Sequence, residues 1–399
     1  MRKVFLIMFG STLAVAAALA LDRPPGEPLA SPFPRADVLA GVPMAVSKKI
    51  ACRTPPKAVR DIVTVSKFGA DRRVHGSTVI DPAAASEFAE GNRALTEFTR
   101  QVADLTNGFS KFNTSGVRDA RCALMWLNSW AEQDALLGKV NEAGVPLRKW
   151  ELASLAAAYL KIRSAPNDPE QSARVRRWLA RVASAVRADY SRNPEADSRS
   201  NNHLNWAAWA VMAAAIAADD RDLFEWSVDR FRFAIAKIEP DGTLPLELKR
   251  RQLAFAYHNF ALGPLVMLRE GASANGLFLT PGEDARLQAL IDLLIAGIDD
   301  PDALRAKAGP QDFDHLSPAS LAWLEPYYAR SRDPRAARLL ARYRPLSYTR
   351  LGGNLTELFG DRAAAPAAKP KGGEEADRSR DQVGKGGGEG GHDRIRRTD

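Results

Sequence analysis

Asp241–Leu265 reads DGTLPLELKRRQLAFAYHNFALGPL. Three consecutive cations, Lys249, Arg250 and Arg251, stand one to two helical turns ahead of Tyr257 and His258, with apolar residues filling most positions between and beyond. On a helix, positions seven apart return to nearly the same face, so Arg250 and Tyr257 are expected to point together into one cleft. A guanidinium to hold a carboxylate and a phenol to move a proton are the parts needed for chemistry beside a carboxyl group. The plainer reading of the same residues is a solvated basic turn followed by a core aromatic.

The helical spacing extends outward on both sides. Segments near 85–106, 116–137, 148–163, 171–191, 203–218, 220–238, 246–269, 283–297 and 318–343 carry apolar residues three and four apart. Breaks fall at Asn107-Gly108, Gly144-Val145-Pro146, Pro166–Pro169, Asn193-Pro194, Asp219-Asp220, Pro240–Gly242 and Pro281-Gly282. Alternating strand patterns are nearly absent. The chain therefore reads as all-α, its helices paired by short loops into a ring or coil of hairpins rather than a four-helix bundle. No residue-level repeat of fixed period supports a regular solenoid.

At 399 residues with 45% hydrophobic side chains, the chain can bury a large core. Arg2 and Lys3 precede an apolar run from Val4 to Leu19, and Ala18-Leu19-Ala20 has the pattern of a cleavage site. Residues 1–20 are thus expected to be a signal peptide, leaving no stable membrane span. Residues 21–47 are Pro-rich and read as an extended arm. A domain is placed at 21–361. The Gly-rich, mixed-charge stretch at 362–399 cannot build a core and reads as a disordered tail, so His392 within it is set aside.

In an exported protein, the pair Cys52 and Cys122 is expected to form a disulfide. No metal site is expected, because His75, His203, His258, His315 and His392 show no ligand-like pairing, and no cofactor is implied. The net charge of +8 points to nucleic acid or another acidic polymer. Export and the lack of any nucleic-acid-binding signature favour an acidic polysaccharide.

Asn201-Asn202-His203 opens the helix LNWAAWAVMAAAIAADD, preceded by a basic loop from Arg192 to Arg199. The asparagines can serve as a simple cap, and the histidine as a structural first-turn residue. Trp206 offers flat apolar surface for a sugar face, whereas Trp209 is expected in the core. Cations and aromatics also mix at Arg148-Lys149-Trp150 and at Tyr348–Asn354, while VSKFGADRRVHGSTV (65–79) reads as a basic, Gly-containing loop. Asn, His, Arg and Tyr, without a carboxylate pair or a nucleophile elbow, suit β-elimination from a uronic acid. Neutralising the uronate carboxylate makes the C5 proton removable. A base then takes that proton, and an acid protonates the departing C4 oxygen. Cations beside a tyrosine are expected to favour its phenolate.

The sequence closely resembles the periplasmic alginate lyases that cleave poly(β-D-mannuronate) and are encoded with alginate biosynthesis machinery. The resemblance runs from about Lys57 to Phe359. It is carried by VSKF (65–68), RKWELASLAAAYLK (148–161), NNHLNWAAWAVMA (201–213), DRDLFEWS (220–227), DGTLPLELKRRQLAFAYHNFALGPLVML (241–268), WLEPYY (323–328) and RLGGNLTELF (350–359). It implies an (α/α) toroid around a deep cleft and an endolytic, mannuronate-specific lyase in the periplasm, acting on alginate beside the export complex. It assigns Asn202 and Arg250 to the substrate carboxylate, with His203 beside them, and Tyr257 to the leaving oxygen; His203 and Tyr257 both stand as the base. Ser66 and Lys67 fall on a lid loop, Trp206 and Arg350 on sugar, and Lys149 and Trp150 on the cleft wall. Asn205 departs from the family's usual Tyr and is expected to alter a subsite contact. A lyase for another uronate polymer and a non-catalytic polymer-binding scaffold are the alternative readings.

Overall fold

Helical hairpins standing side by side build the fold. The computed structural model describes residues 27–33, 51–68, 80–109, 114–165, 168–193, 196–300, 304–313 and 316–360. The expected signal peptide, most of the lid loop and the C-terminal tail lie outside the described residues. The helices are α1 Pro82–Gly91, α2 Arg93–Phe109, α3 Thr114–Glu132, α4 Val145–Ile162, α5 Pro169–Ser191, α6 Asn202–Ala218 and α7 Arg221–Ile235. They continue with α8 Pro245–Leu248, α9 Ala254–Ala274, α10 Pro281–Asp299, α11 Arg305–Ala308, α12 Leu324–Ser331, α13 Pro334–Tyr343 and α14 Leu355–Phe359.

Their starts are written in the sequence. Asp81, Asp168, Thr280 and Asp333 each precede a proline at the first helical position, and each side chain accepts from a backbone N–H of the new helix. Thr280 and Glu283 complete a reciprocal capping box.

The hairpins α2/α3, α4/α5, α6/α7, α9/α10 and α12/α13 pack so that α2, α4, α6, α9 and α12 touch in series on the inside. Among their outer partners, α3 meets α5, α5 meets α7, and α7 meets α10. This is an (α/α) toroid. Helix α6 sits at its centre, touching α4, α5, α7 and α9. It is buried on every side from Leu204 to Ala217, which its run of alanines permits because small side chains let four neighbours approach at once. No helix among the described residues is long and apolar enough to cross a membrane.

Two short strands, β1 (Ser347–Tyr348) and β2 (Gly353–Asn354), pair antiparallel near the inner helices. Gly353 has φ +88°, and a Cβ there would collide with the Asn107 carboxamide of α2. The turn between them carries Arg350. Residues 27–33 form part of the expected arm, but they are inserted rather than laid over the surface. Leu29 and Phe33 are buried, the Leu29 N–H donates to Asp219 Oδ1 (2.8 Å), and Asn275 exchanges two hydrogen bonds with Ala30.

Three expected helices are interrupted. The 85–106 segment breaks at Asn92, and the last long segment divides into a 3-10 turn, α12 and α13. The 246–269 segment is not continuous either, because Arg251 takes a left-handed φ of +52° between α8 and α9. Gln311 satisfies the backbone freed at this break: its Nε2 donates to Arg251 O (3.1 Å) and its Oε1 accepts from Phe255 N (2.9 Å). His258 secures the same segment from α9. Its Nε2 accepts from the Leu244 N–H at 2.8 Å, and its Nδ1 hydrogen is directed at Ala254 O at 2.7 Å.

Burial lowers the His258 pKa to about 4. Its stabilising contribution is therefore present above pH ~6.5, the unfolded value, and is lost as pH falls towards 4. Urea midpoints are expected to drop across that window, and His258→Gln, less stable at neutral pH, is expected to remove this part of the slope. The expected disulfide is formed, joining Cys52 to Cys122 of α3 across a separation of 70 residues. Loop-closure entropy sets its contribution at about 4 kcal/mol. Reduction, or Cys52→Ser with Cys122→Ser, is expected to lower unfolding free energy by about that amount in a urea titration.

Candidate active site

The first turn of α6 anchors the site. Asn201 caps the helix, its side-chain oxygen accepting from the His203 N–H at 2.9 Å. Asn202 is almost wholly buried and donates from both its backbone N–H and Nδ2 to Glu247 Oε1, each at 2.9 Å. A carboxylate at the start of a helix is favoured by the exposed N–H groups there. Glu247 is equally buried, and its Oε2 lies 3.9 Å from Arg250 Nε. Burial raises the Glu247 pKa; the Asn202 hydrogen bonds and the Arg250 charge act against that rise, while Asp197 adds to it.

Arg250 and Tyr257 do meet, but not by helical spacing. Seven residues of unbroken helix would separate them by about 10 Å of rise. The left-handed turn at Arg251 folds that distance away, and the Arg250 guanidinium stacks 4.6 Å from the Tyr257 ring centre. Burial raises the Tyr257 pKa, outweighing the Arg250 charge that lowers it, and Glu247 raises it further. The expectation that adjacent cations favour the phenolate is thus corrected: the neutral phenol is the favoured form, because desolvation is the larger effect.

Beside this cluster runs an aromatic wall. The Arg350 guanidinium lies 4.4 Å over Trp150, whose ring is 5.9 Å from His203 and 6.3 Å from Phe260. Trp206 lies behind Phe260 and Tyr348, at 5.1 and 5.8 Å. Trp206 is fully buried and spends its indole N–H on Phe260 O, so the sugar-stacking face expected of it is covered. Trp209 is core, as expected, and its indole N–H donates to Arg350 O at 2.8 Å, holding the turn that presents the guanidinium. Asn205 is also buried, donating to Ala261 O at 3.3 Å, which places it between helices rather than in a subsite.

Lys149 lies beneath the wall rather than on it. It has no exposed surface, and its Nζ contacts the Tyr190 hydroxyl at 2.6 Å and His203 Nδ1 at 2.7 Å. Arg199 covers the Tyr190 ring at 4.6 Å. Burial first, then the like charges of Arg350 and Arg199, hold the Lys149 amine well below the ordinary lysine range. Ser66 Oγ accepts from the Phe68 N–H at 3.3 Å, a local turn contact. The Lys67 amine is held below its usual range by loss of water and by the charge of Arg350. Residues 69–79, the rest of the expected lid, lie outside the described residues. Among the described residues, no three His, Cys, Asp or Glu side chains gather to hold a metal ion.

Asn202, Arg250 and Tyr257 are thereby linked through Glu247 and the guanidinium stack, and His203, Trp150 and Arg350 through their rings, the two groups meeting where His203 follows Asn202 in the chain. Sequence reading missed Glu247 and Tyr190, which tie them together. Glu247 carried a signal, an acid three residues ahead of Arg250 and just inside a proline-started turn. Tyr190 carried none, since 41 residues separate it from its partner Lys149.

A histidine and a tyrosine near a guanidinium, in a ring of helical hairpins, suit the polysaccharide lyase class. The family model described as alginate lyase matches residues 74–304. An alginate lyase of Azotobacter vinelandii is 36% identical over 380 residues, covering 92% of this chain and 97% of that protein. One from Pseudomonas fluorescens is 37% identical over 293 residues, covering 70% and 78%. The chain belongs to the alginate lyase family. Among solved structures, a variant of alginate lyase A1-III complexed with a tetrasaccharide superposes with a TM-score of 0.67 at 26% identity, covering 82% of this chain and 90% of that one. The A1-III enzyme from Sphingomonas species A1 matches in fold, with a TM-score of 0.66 at 24% identity over 83% and 95% of the two chains.

Proposed function

We propose that the protein cleaves alginate by β-elimination at mannuronate residues, within chains rather than from their ends. The observation that carries this is the Arg250–Tyr257 stack tied through Glu247 to Asn202, with His203 next in the chain. Asn202, His203 and Arg250 neutralise the uronate carboxylate, so that charge developing as C5 loses its proton is met by groups already in place. Tyr257 takes the C5 proton and passes it to the C4 oxygen. The C5–H electron pair becomes the C4–C5 double bond, the C4–O bond breaks, and its electrons leave with the oxygen. The phenolate is regenerated and the new non-reducing end is a 4,5-unsaturated uronate. In mannuronate the C5 hydrogen and the C4 oxygen lie on one face, which suits a single phenol serving both.

The +8 charge and the guanidinium of Arg350 over Trp150 suit a polyanionic chain. A charged start, apolar run and small-residue site at 1–20, together with a disulfide, support a periplasmic location. There the enzyme would clear stray polymer during alginate synthesis and export, beside the export complex.

The test is the ultraviolet absorbance of the unsaturated product on mixing purified protein with polymannuronate, polyguluronate and other uronate polymers. A rise with polymannuronate is expected; a rise confined to another polymer would move the specificity, and no rise from folded protein would overturn the reading. His203→Ala and Tyr257→Phe are expected to lose on the order of 10²–10⁴ in turnover while remaining folded. Glu247→Ala, which leaves Asn202 and Arg250 without their shared carboxylate, is expected to lose on the order of 10²-fold, with Glu247→Gln recovering part. Because the active free enzyme is the phenolate and burial raises the Tyr257 pKa, kcat/KM is expected to climb as pH rises above neutral.

A further inference from the structure

Lys149 is a buried amine with no use in the steps above. Among the described residues it forms no ion pair. Its Nζ instead meets the Tyr190 hydroxyl at 2.6 Å and His203 Nδ1 at 2.7 Å, with the rings of Trp150 and Tyr190 at 4.7 and 4.9 Å. Burying an amine in this way is unfavourable unless each hydrogen finds an acceptor. The two π faces, the phenol oxygen and the imidazole nitrogen supply them.

We infer that Lys149 is a positioning residue: with Tyr190 it locks His203 as the Nε2–H tautomer, making this histidine a hydrogen-bond donor to the substrate carboxylate and not the base. Its catalytic consequence rests on the lyase reading, whereas the tautomer itself does not.

The argument is a count of hydrogens. A charged Lys149 has three hydrogens and no lone pair, so any contact it makes with Nδ1 is a donation. A neutral Lys149 has two hydrogens and one lone pair. Burial keeps the Tyr190 phenol protonated, pushing its pKa far above the ordinary value, so its O–H can fill that lone pair. An Nζ–H is then still directed at His203. With Lys149 charged, or neutral with its lone pair filled by Tyr190, Nδ1 accepts, and a neutral imidazole that accepts at Nδ1 carries its hydrogen on Nε2. The main chain from which the ring projects is fixed, because the His203 N–H is tied to Asn201.

The molecule contains its own control. His258 donates from Nδ1 to Ala254 O and accepts at Nε2 from Leu244, so it holds the opposite tautomer.

The test is nitrogen-15 NMR of histidine-labelled full-length protein, with the His203 and His258 signals assigned by their loss in His203→Asn and His258→Gln. The expected spectrum at neutral pH shows His203 with a bare Nδ1 and a protonated Nε2, and His258 the reverse. A His203 with protonated Nδ1 and bare Nε2 would overturn the inference, and no Lys149 variant is needed to see it. Lys149→Met is then expected to mix the His203 tautomers and to lower kcat on the order of 10–100-fold with KM little changed. A folded Lys149→Met with wild-type tautomer and kcat would likewise overturn it. If no uronate polymer is cleaved while wild-type His203 shows the Nε2–H form, the lyase reading falls and the tautomer lock stands.

Discussion

The Glu247 carboxylate is the constraint on which the site depends. One oxygen takes both donors of Asn202 at the start of α6, and the other faces Arg250 just before the break that leads into α9. Two inner helices of the ring are thus registered by a single buried acid. Such a group is expensive to leave unpaired: removing one partner strands a charge away from water, and the penalty exceeds what the contact itself is worth. Placing Asn202 and Arg250 on opposite oxygens of one carboxylate suits donors that must be aimed before the substrate arrives.

Burial shapes the protonation of the site more than charge does. Glu247 and Tyr257 are pushed up and Lys149 is pushed down, each with desolvation as the leading cause. All three shifts favour neutral forms. Two guanidiniums, of Arg250 and Arg350, stand beside these groups. The site thus meets a uronate chain with fixed positive charge carried on flat groups, one stacked on Tyr257 and the other on Trp150. The groups whose pKa is shifted sit in a dry setting where small changes in their surroundings have large effects.

The break at Arg251 shows how a local exception serves a global geometry. A continuous helix from Pro245 to Ala274 would satisfy every backbone group by itself and would hold Arg250 well away from Tyr257. The left-handed residue interrupts it, and the protein meets the freed carbonyl and N–H with a side chain from the loop after α11, Gln311. Gln311 lies 60 residues from Arg251. Nothing in the local text of 246–269 announces the break, since both halves favour helix.

The amino-acid sequence by itself determined the all-α chain of paired helices, the Cys52–Cys122 pair and the family. These rest on periodicity, cysteine count and long motifs, which are legible without the tertiary structure. It also marked Asn202, His203, Arg250 and Tyr257, because unusual polar residues at helix starts stand out from an apolar pattern. What the tertiary structure alone decided was which side of the wall each residue occupies. Trp206, Lys149 and Asn205 look like sugar contacts in the text, yet they are buried behind Phe260, Trp150 and α9. An aromatic or a cation in an inner helix carries the same local signal whether it faces the cleft or the core. Burial is set by what other helices bring against it, and those partners come from elsewhere in the chain.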